Sequence, residues 1–115
     1  MESIEELCRQ VEALYQEHRI APFPREVYDR EKINGKSMVL LDSGISGCVS
    51  TFLQRDYTLD LWRTASLGFG YRTVSLALVS PEFAEEGKPY YRRLETMAAL
   101  VLEVVGRKAQ EADDT

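Results

Sequence analysis

Cysteine and histidine are nearly missing from this chain, and each shortage removes a class of function. The 115 residues include two cysteines, Cys8 and Cys48, and one histidine, His18. A structural zinc site draws on closely spaced Cys and His pairs. The two cysteines lie far apart and only one histidine is present, so structural zinc is excluded. A disulfide framework is excluded by the same count, and in a reducing compartment both thiols behave as small hydrophobes. Di-iron bundles present Glu-x-x-His pairs inward, and no glutamate stands three residues before His18.

Long apolar runs are also missing. The longest, Ser75 to Val79 and Met97 to Val105, fall well short of the ~20 residues of a membrane span. The opening Met-Glu-Ser-Ile-Glu-Glu carries no basic region ahead of an apolar one, so no secretory signal is expected and a cytoplasmic setting follows. Basic charge is sparse. With a formal charge of -5, the average surface repels phosphate and speaks against nucleic acid and anionic membranes as partners. Arg92-Arg93 and Arg107-Lys108 are the only adjacent basic pairs, and carboxylates stand near each.

Catalytic and nucleotide motifs are lacking too. No Gly-Lys-Ser/Thr loop is present, and Gly68-Phe69-Gly70 does not follow a credible strand, so a phosphate cradle has no basis. Gly44-Ile45-Ser46-Gly47 has the wrong spacing for a serine nucleophile elbow. No cofactor is expected.

What remains is an ordinary globular composition, 44% apolar and 29% charged, in a chain long enough for one core. A single helical domain over residues 1–110 is expected, followed by a disordered acidic tail over 111–115. Ile4, Leu7, Cys8, Val11, Leu14, Tyr15 and His18 recur at helical steps, with Ser3 and Glu6 as a capping box. Ala21-Pro22-Phe23-Pro24 ends this first helix. A charged crossover follows, with room for one helical turn after Pro24, and closes on an Asn34-Gly35 turn.

Residues 37–53 are read by their period. At 100° per residue Met38, Leu41, Ile45, Cys48, Val49 and Phe52 share one face, while Ser43, Ser46, Gly47 and Ser50 share the other. A third helix follows, with Thr58 as its expected N-cap. Its apolar residues form two stripes, one of Trp62, Ala65, Phe69, Thr73 and Leu76 and another of Leu67, Tyr71, Val74 and Leu78, as for a helix covered on two sides. Pro89 opens the last helix, whose stripe is Tyr90, Leu94, Met97, Val101, Val104 and Val105 and which is expected to fray after Gly106.

Four such helices with short later connections predict an all-α antiparallel four-helix bundle with a longer first connection. The alternative is an α+β fold with a small antiparallel sheet within 37–79, because Tyr57 to Leu61 and the stretch after Gly68 also suit strands.

Two places stand out as candidate sites. Glycine inside a helix costs about 1 kcal/mol relative to alanine, so the small strip Ser43, Ser46, Gly47 and Ser50 asks for a compensating close approach by another backbone. A second copy of the chain, making a homodimer, answers that need; another protein partner would as well. A ligand pocket between the second and third helices is the other candidate, with His18, Asp42, Tyr71 and Arg72 as the polar groups that would orient a ligand. The functional expectation is a cytoplasmic interaction module that self-associates and catalyses nothing. Its alternatives are a small-molecule binder or small enzyme using that pocket, and an acidic inhibitor or immunity-type protein aimed at a basic target.

Overall fold

A computed structural model of the chain describes residues 1–25 and 32–114; the helical turn expected after Pro24 lies outside them. Helix α1 spans Ile4–Ile20. The Ser3 hydroxyl accepts from the Glu6 amide at 3.1 Å, satisfying one of the donors that a first turn leaves open. Leu7, Cys8, Val11 and His18 are buried, the stripe that the spacing predicts. At the far end the Ala21 amide donates to Glu17 and His18 carbonyls before Pro22 stops the helix.

A small antiparallel ribbon, β1 (Lys32–Ile33) and β2 (Lys36–Ser37), leads into the second helix. Its two-residue turn is Asn34-Gly35, with φ of 53° and 77°, the left-handed pair that matches the twist of a tight hairpin. The ribbon buries Ile33 and places Ser37 as the N-cap of α2, Met38–Gln54, where its hydroxyl accepts from the Leu40 amide. Sheet structure therefore exists, but it precedes most of the segment in which a strand reading competes; residues 38–54 and 61–78 are helical. Along α2 the buried set is Met38, Ile45, Cys48, Val49 and Phe52.

Helix α2 ends in an uncommon way, with Asp56 and Tyr57 both at positive φ, a conformation that costs a side-chain-bearing residue free energy. Tyr57 is held there from several sides. Its amide donates to the Phe52 carbonyl at 2.9 Å, its hydroxyl to Glu12 at 2.8 Å, and its own carbonyl accepts from Lys108 at 2.6 Å.

Helix α3 spans Leu61–Leu78 and takes Asp60 as its N-cap. Thr58, expected in that role, instead donates its hydroxyl to the Arg55 carbonyl at 2.6 Å and helps close the preceding turn. Leu67, Gly70, Val74, Ala77 and Leu78 are buried. The second expected stripe is thus covered, whereas Trp62, Ala65, Phe69 and Leu76 of the first are exposed. Neighbours on two sides were expected to cover both stripes, and the two helices beside α3 do not reach the first.

A 3-10 turn at Glu85–Gly87 leads into α4, Lys88–Asp113, with Pro89 in its first turn. This helix continues through Gly106, where fraying was expected, and runs to Asp113. Two side chains secure the last turns: Arg107 bonds the Glu2 carbonyl and the Glu103 carboxylate, and Lys108 bonds Tyr57. Tyr91, Leu94, Met97, Ala98, Val101 and Val104 are buried.

The four helices pack together in a body 50 × 25 × 24 Å in extent. Side-chain contacts set their directions. His18 meets Asp42 and Tyr57 meets Glu12, so α1 and α2 run antiparallel; the Gly70 position meets Ile45 and Cys48 meets the Arg63 carbonyl, so α2 and α3 do too. Among the described residues, helix α4 packs against all three others, while α1 and α3 share at most a marginal contact.

Glycines inside α2 and α3 separate into two kinds. A Cβ at Gly44, Gly47 or Gly68 would meet nothing within 4 Å, but one at Gly70 would sit 3.0 Å from Ile45 Cγ1. Ile45 is buried and β-branched, hence nearly fixed in rotamer within a helix. Gly47→Ala should therefore raise the unfolding free energy by about 1 kcal/mol, and Gly70→Ala should lower it. Urea denaturation of both variants checks the pair; equal shifts would contradict the packing between α2 and α3.

Candidate functional site

Two features of the fold exceed what core packing alone needs: a part-buried polar cluster where α1, α2 and α4 meet, and a row of exposed apolar residues on the outer side of α3.

At the C-terminal end of α1 the apolar stripe brings His18 into the bundle, where its Nε2 lies 2.9 Å from Asp42 Oδ1 on α2. The Tyr90 hydroxyl on α4 donates to Asp42 Oδ2 at 2.7 Å, and Ser46 donates to Oδ1 at 3.1 Å. One turn beyond Tyr90, Arg93 donates through Nε to His18 Nδ1 at 3.3 Å. That bond makes Nδ1 the acceptor and puts the ring proton on Nε2, facing the carboxylate. The His18 and Tyr90 rings lie 4.5 Å apart, and the Arg93 guanidinium stands 5.4 Å from the Tyr90 ring.

Burial acts to push the Asp42 carboxyl up. The hydrogen bonds from His18, Tyr90 and Ser46 outweigh it and hold the group below the usual carboxylate range. In chemical terms the cluster resembles the oriented His-Asp pair of a general base, but both imidazole nitrogens are engaged, and Ser46 gives its proton to Asp42 and not to His18. These bonds tie α1, α2 and α4 together.

His18 and Asp42, two of the four pocket residues expected from sequence, are thus brought together, on the α1 side of α2. Tyr71 and Arg72 are not with them. Tyr71 is half-buried against the core, and Arg72 is exposed on the far side of α3. A groove does lie between α2 and α3, 310 Å³ in volume, and its apolar wall is made by Leu40, Leu41, Gly44, Ile45, Phe69 and Gly70. The Lys36 ammonium stands at its edge, 5.5 Å from the Phe69 ring.

The small-residue strip of α2 is divided by its surroundings. Ser43 and Gly47 are exposed, Ser46 is turned to Asp42, and Ser50 accepts from Gln54 while lining an open cleft beside α1. Tyr90 was expected on the core stripe of the last helix and Arg93 in a basic pair, but neither was expected at this site. Their signal is the one-turn spacing at the start of α4, which sets both beside the end of an antiparallel α1.

The outer side of α3 is more unusual. Trp62 is 77% exposed, Phe69 56%, Leu76 65% and Val79 79%, and Leu40 of α2, at 72%, stands nearby on the groove wall. Single exposed apolar side chains are common; here Trp62, Phe69 and Leu76 recur at seven-residue steps, which puts them on one side of α3.

No family model, curated protein or solved structure matches this chain. Among the described residues no group of three or more His, Cys, Asp or Glu is placed to hold a metal ion, and no helix is long and apolar enough to cross a membrane.

The polar cluster generates a pH prediction. Asp42→Asn should cost about 1–3 kcal/mol, because its partners lose a charged acceptor. The folded carboxyl titrates below its unfolded value of 3.8, so its contribution is complete above that pH and is lost as pH falls through the lowered folded value. The stability gap between wild type and variant should therefore narrow in acid below pH 3.8. A gap that stays constant throughout the acid range would contradict the assignment.

Proposed function

We propose that this chain is a helical interaction module that self-associates through the outer face of α3 and carries out no catalytic step of its own. The observation that carries the reading is the exposed row Trp62, Phe69, Leu76 and Val79. Leaving such side chains in water forgoes roughly 1.5–3 kcal/mol for each large one that a partner would bury. The engaged nitrogens of His18 support the non-catalytic part. The acidic balance of the chain, -5 overall, fits a partner that is another protein surface and not nucleic acid. The buried free thiols of Cys8 and Cys48 suit a reducing, cytoplasmic setting.

The groove beside α3 supports a second reading, a binder of small apolar molecules. Its 310 Å³ stands at the lower bound of ligand pockets, about 300 Å³. A rise in melting temperature with an apolar ligand, in a protein that stays monomeric, would favour it.

Sedimentation velocity over a wide concentration range tests the main reading. Wild type should sediment as a dimer at high concentration, and Trp62→Glu should sediment as a monomer with its helical circular dichroism intact. Gly47→Leu probes the α2 strip separately; dissociation by this variant but not by Trp62→Glu would transfer the interface to α2. A wild-type chain that remains monomeric at every concentration would overturn self-association.

A further inference from the structure

The exposed positions along α3 carry more information than their apolarity. Residues 62, 65, 69, 72, 76 and 79 are all exposed, and they follow alternating steps of three and four, the spacing of a seam that packs against another helix at a shallow left-handed crossing. Reversing the order leaves the spacing unchanged. An axis between residues 70 and 71 relates 62 to 79, 65 to 76 and 69 to 72. We infer that α3 of one copy packs antiparallel to α3 of a second copy about a twofold axis that crosses the seam between Phe69 and Arg72, an inference that rests on the self-association reading.

The side chains fit that operation. Trp62 meets the smaller Val79 of the other copy, and Ala65 meets Leu76, so a large group faces a small one at each outer layer. In the central layer Phe69 meets Arg72, a cation against an aromatic face, which is attractive when water is excluded. Each of these pairs occurs twice, as an isologous contact requires.

A parallel pairing of the same seam would set Arg72 against Arg72 and Ala65 against Ala65, which places two like charges together and leaves a gap. It would also align the helix dipoles unfavourably.

The area is sufficient. Counting ~200 Å² for a fully open aromatic and less for an aliphatic, the six positions expose on the order of 700 Å² per copy, against ~800 Å² per partner in a standard stable interface. The twofold also explains why α3 is apolar on a side that no helix among the described residues covers.

Disulfide trapping tests the register. In the antiparallel dimer, position 65 faces position 76 of the other copy, whereas the two copies of position 65 lie about 16 Å apart along the helix, beyond disulfide reach. Mild oxidation of the Ala65→Cys/Leu76→Cys double variant should give a covalent dimer whose linked peptides join positions 65 and 76, while Ala65→Cys alone should link poorly. Cys8 and Cys48 are buried and stay in place. As a second measurement, Ala65→Leu should weaken the dimer about tenfold by overpacking against Leu76, and adding Leu76→Ala should restore it.

Efficient linking by Ala65→Cys alone would establish a parallel pairing and overturn the inference. So would a wild-type dimer in which neither the double cysteine variant links nor the size swap restores affinity, and in that case self-association itself would stand. A wild-type monomer would remove both.

Discussion

A helix can bury only the arc that its neighbours subtend, and this limit shapes the molecule. Among the described residues, helix α4 touches three other helices, whereas α3 is packed against α2 and α4 and shares at most a marginal contact with α1. Two neighbours suffice for the stripe through Leu67, Val74 and Leu78. They do not reach Trp62, Phe69 or Leu76. Because α3 is apolar around more of its circumference than the described helices cover, Trp62, Phe69 and Leu76 face outward. Helices α1 and α4 differ, since their outer sides carry glutamate, arginine and lysine that water solvates.

The polar cluster at the opposite side of α2 works under the reverse condition. A lone histidine on an apolar stripe loses its hydration when the bundle forms, and an unpaired buried polar group is costly. Here Asp42, Tyr90 and Arg93 supply the partners from two other helices. The carboxylate in turn is stabilised by three donors, which is why its proton affinity falls despite burial. Such a network is directional where hydrophobic contact is not. It sets the rotation of α1, α2 and α4 relative to one another, and through α2 and α4 it fixes how α3 is presented.

Much of this was legible in the residues. The Ser3 cap, the stop at Ala21-Pro22, the Asn34-Gly35 turn and the helical face Met38, Ile45, Cys48, Val49 and Phe52 all follow from local chemistry or period, and local signals survive folding unchanged. Helix ends were less legible: Thr58 and Asp60 are both good caps, and a contact with the Arg55 carbonyl decided between them. The persistence of α4 beyond Gly106 depends on Arg107 and Lys108 reaching residues 105 and 51 positions away in sequence, which no local window contains. His18 and Asp42 were found as polar groups of interest, but their meeting is a matter of which helices adjoin. The two stripes of α3 were visible as well; which one would stay uncovered depended on the number of neighbours, a property of the assembled bundle.

The helical glycines add an independent consideration. Each costs about 1 kcal/mol relative to alanine, and only Gly70, among those within α2 and α3, is crowded by its own chain. Gly44, Gly47 and Gly68 have open space where a Cβ would stand, so packing inside the monomer does not account for them. Gly44 lies on the groove wall next to Leu40 and Phe69, and Gly68 adjoins the seam position Phe69. A residue type that weakens the isolated helix, placed beside apolar groups that weaken the isolated surface, is a cost borne twice by the monomer. In the proposed dimer, burial against a second α3 would offset the exposed apolar area directly, and the missing Cβ atoms at 44 and 68 would leave the flanks of that contact low enough for the approaching helix to seat.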